Sequence, residues 1–331
     1  MKVVDMHCDT LAALRDGAKK GLHKELRAND LHLDLEKMRQ GDYMLQNFAM
    51  FVCLEKEEDP LMAVMELADL FYREMEKNKD EISLVRKYED ILENERQGKM
   101  SALLTVEEGG VCKGELVVLR NLYRLGVRMM TLTWNFENEL AYPNIMRIGQ
   151  NPSSPLAPNT ALGLKEKGYI FIEEMERLGM IIDVSHLSDK GFYDIYQHTT
   201  KPFVASHSNA RALGSHCRNL TDDMIRKLAN RGGVTGINYC PAFVMDAKED
   251  EKEVCTVKRL AEHARYLANI GGIQCVGLGS DFDGIGGELE MKNCSMLPLL
   301  EWELKKQGFH ESEIEAIFYK NVLGVYKEIL K

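Results

Sequence analysis

The sequence predicts an α/β fold, a (β/α)8 TIM-type barrel made by one domain spanning residues 1–331. Three observations lead there. Short apolar, β-branched runs alternate with longer helical patterns along the whole chain, the mark of parallel βαβ units. The runs number eight, enough to close a barrel. Histidine or carboxylate side chains stand directly after several of them, at the strand ends where barrels of this kind place their chemistry.

The candidate strands, in order, are Val3–Met6, Asn47–Leu54, Ser101–Val106, Val127–Trp134, Met180–Ser185, Phe203–Ser206, Gly233–Tyr239 and Cys275–Gly279. They are mostly continuous apolar runs, as expected of strands covered on both faces. Helical patterns lie between them at Leu61–Lys77, Glu115–Leu125, Leu164–Leu178, Ser188–Thr199, Thr221–Asn230 and Val257–Ile270. In the first, Met62, Met65, Leu67, Leu70 and Phe71 recur at helical spacing against a face of Glu and Lys. Thr221 before two aspartates and Ser188 before Asp189 are helix starts. Gly126, Gly179 and Gly271 follow helical runs at the position that favours a left-handed cap. An open, doubly wound sheet is the alternative architecture. No GxGxxG follows the first strand, which weakens its dinucleotide-binding form. The segment 137–162, rich in Asn, Pro and Ser, is expected as a loop over the barrel mouth, because the alternation resumes on both sides of it.

Composition narrows the function. With 42 basic and 52 acidic residues the formal charge is −10, and no long basic run occurs, which argues against nucleic acid or an anionic membrane surface as a partner. No apolar stretch precedes His7 and none is long enough to span a bilayer, so neither a signal peptide nor a membrane anchor is expected. The eight cysteines are scattered without a CxxC pair, and several sit in apolar runs. That fits a reduced, cytoplasmic protein without disulfides.

The residues that carry chemistry are short motifs in register. His7 and Asp9 end the first strand as His-Cys-Asp, and residues two apart on an extended segment point the same way. Glu107 and Glu108 end the third strand, His186 the fifth, His207 the sixth, and Asp281 with Asp283 the eighth. One such residue would be an ordinary solvated loop polar; five groups in register read as a metal site. Imidazole with carboxylate and no thiolate suits Zn²⁺ first, with Mn²⁺, Co²⁺ or Fe²⁺ as substitutes. The set exceeds what one tetrahedral catalytic zinc uses, so two divalent ions are expected. Two ions ~3.5–4 Å apart can share a carboxylate and a hydroxide that is nucleophilic near neutral pH.

The motifs DMHCDT, TVEEGG, LGLKEKGYIFIEEMERLGMIIDVSHLS, ASHSNARALGSHCRNLTDD and GLGSDFDG together resemble the renal or membrane dipeptidase family of zinc dipeptidases (peptidase family M19) over essentially the whole chain. The resemblance implies that His7, Asp9 and Glu107 hold one metal, and that Glu107, His186 and His207 hold the other. It favours Glu107 over Glu108, because the family's Val-Glu-Gly aligns without a gap. It makes Asp281 the catalytic carboxylate and Arg218 the residue that holds the free carboxylate of a dipeptide. Physically, Arg218 offers a bidentate fork and Asp281 can shuttle a proton. Renal-type members carry a histidine after the fourth strand that contacts the scissile carbonyl; here the strand reads TLTWNFENEL, placing Trp134 there with Asn135 beside it, both expected to contact substrate. Frequent dimers in the family leave a homodimer open.

The leading reading is therefore a metal-dependent dipeptidase, its substrates dipeptides, L,D members included among the candidates. A two-metal amidohydrolase acting on a cyclic amide, lactone or N-acyl compound is the alternative enzyme, although those usually open with HxH. A metal-binding homologue without turnover is the alternative of a different class. Of the other polar residues, Asp5 and Asp183 lie inside strands, where they could steady the histidines beyond them. Asp283 is expected to form a turn or support a ligand.

Overall fold

The computed structural model describes residues 1–148, 151–246 and 252–331. Eight parallel strands close into a ring: β1 Val3–Asp5, β2 Tyr43–Phe51, β3 Met100–Glu107, β4 Val127–Thr131, β5 Ile181–Asp183, β6 Val204–Ala205, β7 Val234–Ile237 and β8 Val276–Leu278. Each pairs with its neighbours in chain order, and β1 pairs with both β2 and β8. The predicted barrel is thus the observed one. A ninth strand, Ile82–Leu84, lies beside the start of β3; it is a short run broken by Ser83 inside the charged stretch NKDEISLVRKYED, so no continuous apolar run marks it.

Strand boundaries move where polar residues are buried. β2 starts four residues before the predicted Asn47, because Gln46 and Asn47 find partners inside the fold. The Gln46 amide donates to Asn47 O at 2.9 Å, and Asn47 Oδ1 accepts the Tyr326 hydroxyl at 2.9 Å. β4 stops at Thr131 rather than Trp134, and the chain turns away to form the rim.

The predicted helices are present within a residue or two of their expected ends. The hydroxyl of Ser188 accepts from Gly191 N at 2.9 Å and that of Thr221 from Met224 N at 3.3 Å, as N-caps. Gly126 and Gly179 are left-handed caps with φ of 111° and 77°; the helix Val257–Gly271 runs through the expected Gly271 and ends on Gly272, whose φ of 87° and ψ of 158° are not those of a left-handed cap. All eight cysteines are free thiols. Among the described residues no helix is long and apolar enough to cross a membrane.

Two buried layers hold the barrel. The larger lies between the strands and the surrounding helices. The smaller gathers Val4, Leu45, Leu103, Met129, Ile181, Val204 and Val234, side chains from seven of the strands, around Val322, Val325, Tyr326 and Ile329 of the last helix, Asn321–Ile329. That helix closes the end of the barrel where the strands start, which leaves the opposite rim for chemistry. Tyr326→Phe removes the hydroxyl that satisfies buried Asn47 and should cost roughly 1–3 kcal/mol in denaturant unfolding. Activity per folded molecule should be unchanged, and a loss of activity without a loss of stability would show that this end reaches the site.

Candidate metal centre and active site

The period-two alternation along each strand decides which side chains reach the rim. On β3, Leu103, Thr105 and Glu107 share one face, so a carboxylate follows two apolar or hydroxylic positions into the mouth. After β5 and β6 the chain delivers His186 and His207, and after β8 it delivers Asp281. Among the described residues six non-glycine residues adopt positive φ, and four of them, Glu108, His186, Asp281 and Asp283, stand at this rim. Such conformations cost about 1–3 kcal/mol each and persist where the surroundings fix them.

The five predicted ligands meet, all of them buried. His7 Nε2 lies 3.3 Å from Asp9 Oδ2, 3.2 Å from Glu107 Oε2 and 3.9 Å from Asp281 Oδ1. The other oxygen of the same carboxylate, Glu107 Oε1, lies 3.0 Å from His186 Nε2 and 3.7 Å from His207 Nε2. The two histidine Nε2 atoms are themselves 3.0 Å apart. Ligand atoms of His7, Glu107 and His207 fall within 4.8 Å of one another, as do those of His7, Asp9 and Asp281.

The donor chemistry fits cations here. His186 Nδ1 is 3.0 Å from the carbonyl oxygen of the Asn135 side chain, which can only accept, so Nδ1 carries the proton and Nε2 presents its lone pair. His207 Nδ1 is 2.7 Å from Ser206 Oγ, whose own proton goes to Asp183, so His207 Nε2 is a lone pair as well. Both imidazoles are held well below their usual pKa by burial and by neighbouring positive charge, in the neutral form that ligates metals. Two lone pairs and a carboxylate oxygen with no proton among them call for a shared cation. On the other side, burial and then the Glu107 charge push Asp9 up, and one of its oxygens has no hydrogen-bond partner. Burial pushes Asp281 up to about 8, with Asp9 and Glu107 adding to it against His7. Burial disfavours a charged His7, yet Glu107 and Asp9 outweigh it and raise its pKa. This cluster of carboxylates also favours positive charge.

Supporting residues fix these groups. Asp183 accepts from Thr131 Oγ1 at 2.9 Å, Ser185 N at 3.0 Å and Ser206 N at 2.9 Å as well as from the Ser206 hydroxyl, beneath both histidines. Asp5 accepts from His7 N at 3.2 Å and Ser280 N at 2.9 Å, tying β1 to β8. Asp283 takes the Thr10 hydroxyl at 2.6 Å and His32 N at 2.7 Å. A Cβ at Gly284 would stand 2.0 Å from Asp9 Oδ2 and 2.6 Å from Asp281 Oδ1, so only glycine leaves room for both carboxylates.

Glu107 and Glu108, adjacent in sequence, take different places. Glu107 faces the cluster. Glu108 is turned away by its φ of 95° and accepts from Gly110 N, Trp134 N and the Asn138 amide at 2.7, 2.8 and 2.6 Å. Asn135 lines the mouth, but its side-chain oxygen is engaged by His186. Arg218 is buried beside the mouth rather than lining it. Its guanidinium donates to Ser208 Oγ at 3.2 Å and His207 O at 3.3 Å, and its Nε has no partner. The segment 137–162 reaches the same rim through Asn144, whose N donates to His186 O at 2.8 Å; residues 149–150 lie outside the described residues.

The sequence reading missed Asn238, which follows β7 and donates to Asp281 Oδ2 at 2.8 Å. The run GVTGINY also ends on a polar residue, and that was the signal available. The cavity above these groups has a volume of about 380 Å³, within the range that holds small ligands.

The profile of the membrane dipeptidase family, peptidase family M19, matches residues 1–331. The chain belongs to this family. A Klebsiella pneumoniae protein encoded in the pqqA 5′ region is 37% identical, over 72% of this chain and 86% of its own. A dipeptidase of Schizosaccharomyces pombe is 32% identical, over 99% and 80%. Among solved structures, a metallopeptidase of family M19, dipeptidase AC, shares 25% identity at a TM-score of 0.89, covering 100% of this chain and 99% of its own. A Rhodobacter sphaeroides metallopeptidase, solved with a phosphinate mimic of L-Ala-D-Ala, has the same fold at 23% identity, a TM-score of 0.87 and 99% coverage of both chains.

The two glutamates make a paired test. Glu107→Gln should lose bound metal and nearly all activity. Glu108→Gln should keep its metal while losing roughly 1–3 kcal/mol of stability, because a side-chain NH₂ must then face backbone N–H donors. Metal analysis and unfolding of both variants check this, and the reverse pattern would exchange their roles.

Proposed function

We propose that this protein hydrolyses free dipeptides at a centre for two divalent metal ions. The observation that carries the reading is Glu107, whose two oxygens face two different groups of ligand-type side chains, His7 with Asp9 on one side and His186 with His207 on the other. His7, Asp9 and Glu107 would hold one ion, and Glu107, His186 and His207 the other. When bound, two cations, zinc first by this imidazole–carboxylate set, supply an acidified water and a polarised scissile carbonyl. Asp281, held by Asn238, suits the proton transfers: as a carboxylate it takes the proton of the attacking water, and as the resulting acid it delivers that proton to the leaving amine. Arg218 suits the dipeptide's free carboxylate, since a buried guanidinium with an unpartnered N–H gains by meeting an anion. Segment 137–162 would cover part of the mouth.

Metal analysis of the reconstituted protein should find about two ions per chain. A library of L,L and L,D dipeptides beside cyclic amides, lactones and N-acyl amino acids should show turnover confined to dipeptides. C-terminally amidated dipeptides should be spared. Arg218→Ala should lose roughly 1.5–3 kcal/mol of transition-state binding on free dipeptides, read as kcat/KM, and with it the discrimination against amides. A variant that treats both as the parent does would rule out this role.

A further inference from the structure

Beyond the metal centre, two neighbouring aromatic side chains, Phe51 and Trp134, make one wall of the cavity, while a third lining aromatic, Phe243, stands beside Arg218. Phe51 ends β2 and is the register partner of Glu107. Trp134 follows β4, its ring 5.1 Å from that of Phe51, at 62°, and 5.9 Å from that of His186. Behind it, buried Phe136 packs at 5.2 Å, and the Trp134 backbone N–H is fixed by Glu108 Oε2 at 2.8 Å. The indole is therefore held from two sides and still lines the cavity, so a ligand meets a surface that needs little further ordering.

The order of strands around the barrel assigns this wall to one end of a substrate. Arg218 lies in the loop after β6, and β2 is opposite β6 in an eight-membered ring. A dipeptide with its carboxylate toward Arg218 and its peptide bond at Glu107 carries its first residue toward Phe51 and Trp134. Charge adds a second constraint. The cavity lining includes Asp9, Asp16, Glu107, Asp281 and Asp283, and no Lys or Arg among the described residues. With Asp9 and Glu107 spent on the cations of the proposed centre, Asp16 and Asp283 remain: a free α-ammonium is welcome beside them, whereas a side-chain carboxylate finds no basic side chain to offset its repulsion.

We propose that Phe51 and Trp134 form the side-chain subsite for the N-terminal residue of the dipeptide, selecting an aromatic or large apolar residue there and refusing an acidic one. This rests on the dipeptidase reading above. Hydrophobic pockets distinguish even one methylene by roughly 10–200-fold, so a whole phenyl group should be worth at least about tenfold.

The test is kcat/KM of the metal-reconstituted protein on Phe-Ala, Ala-Phe, Ala-Ala and Glu-Ala. Phe-Ala should exceed Ala-Ala by about tenfold or more, Ala-Phe should gain less, and Glu-Ala should be the poorest. Trp134→Ala and the volume-sparing Phe51→Leu should each shrink the Phe-Ala to Ala-Ala ratio several-fold while metal content is kept. If one variant fails to fold, the other and the parent's own ranking decide. Turnover without a Phe-Ala advantage, a larger gain for Ala-Phe, or an unchanged ratio in the folded variants would overturn the subsite and leave the dipeptidase reading standing. No turnover of any dipeptide by metal-loaded protein would overturn both.

Discussion

Glu107 has to serve two neighbourhoods with one carboxylate, and much of the fold follows from that demand. One oxygen faces His7, on the far side of β2 from it; the other faces His186 and His207, brought by β5 and β6. Only a closed ring of strands brings these groups to one point while burying all of them. A buried carboxylate is costly unless hydrogen bonds or positive charge meet it. Around Glu107 stand the neutral imidazoles of His186 and His207 and the carboxylates of Asp9 and Asp281, with His7 drawn toward its charged form among them, so positive charge is what the arrangement favours.

The supporting residues can be understood as the means of keeping those groups apart yet aimed. Asp183 receives hydroxyl and backbone donors beneath the two histidines, and through Ser206 it fixes which nitrogen of His207 carries the proton. Asn135 does the same for His186 from the cavity side. Glu108 spends its own carboxylate on the loop that carries Trp134, so that two adjacent glutamates are separated by a backbone turn rather than by chemistry.

The barrel and its five converging candidate ligand positions were legible because hydrophobic runs and the polar residues that end them are local features. What escaped the sequence depended on distant partners. Gln46 and Asn47 look like a strand terminus until the Tyr326 hydroxyl and the backbone around them are in place. Ile82–Leu84 is broken by Ser83 and hemmed in by charged residues, and it becomes a strand only beside the start of β3. Asn135 could be placed at the mouth, but its commitment to a histidine 51 residues away could not. Asn238 follows an apolar run just as the candidate ligands do, yet an amide there has no meaning until Asp281 is beside it.

The last helix has a consequence for how the protein is made. Tyr326 and Asn47 bond across 279 residues, and β1 can pair with β8 only once residues near the end of the chain exist. During synthesis, which runs at roughly 5–20 residues per second, the early strands must wait for the inner stopper of Val322, Val325 and Tyr326. Until then they hold an apolar lining that nothing fills. Contacts of such long sequence separation form late and slowly. The nascent barrel is therefore an open, apolar trough until residues 321–329 emerge, and the docking of that helix is the event that seals it.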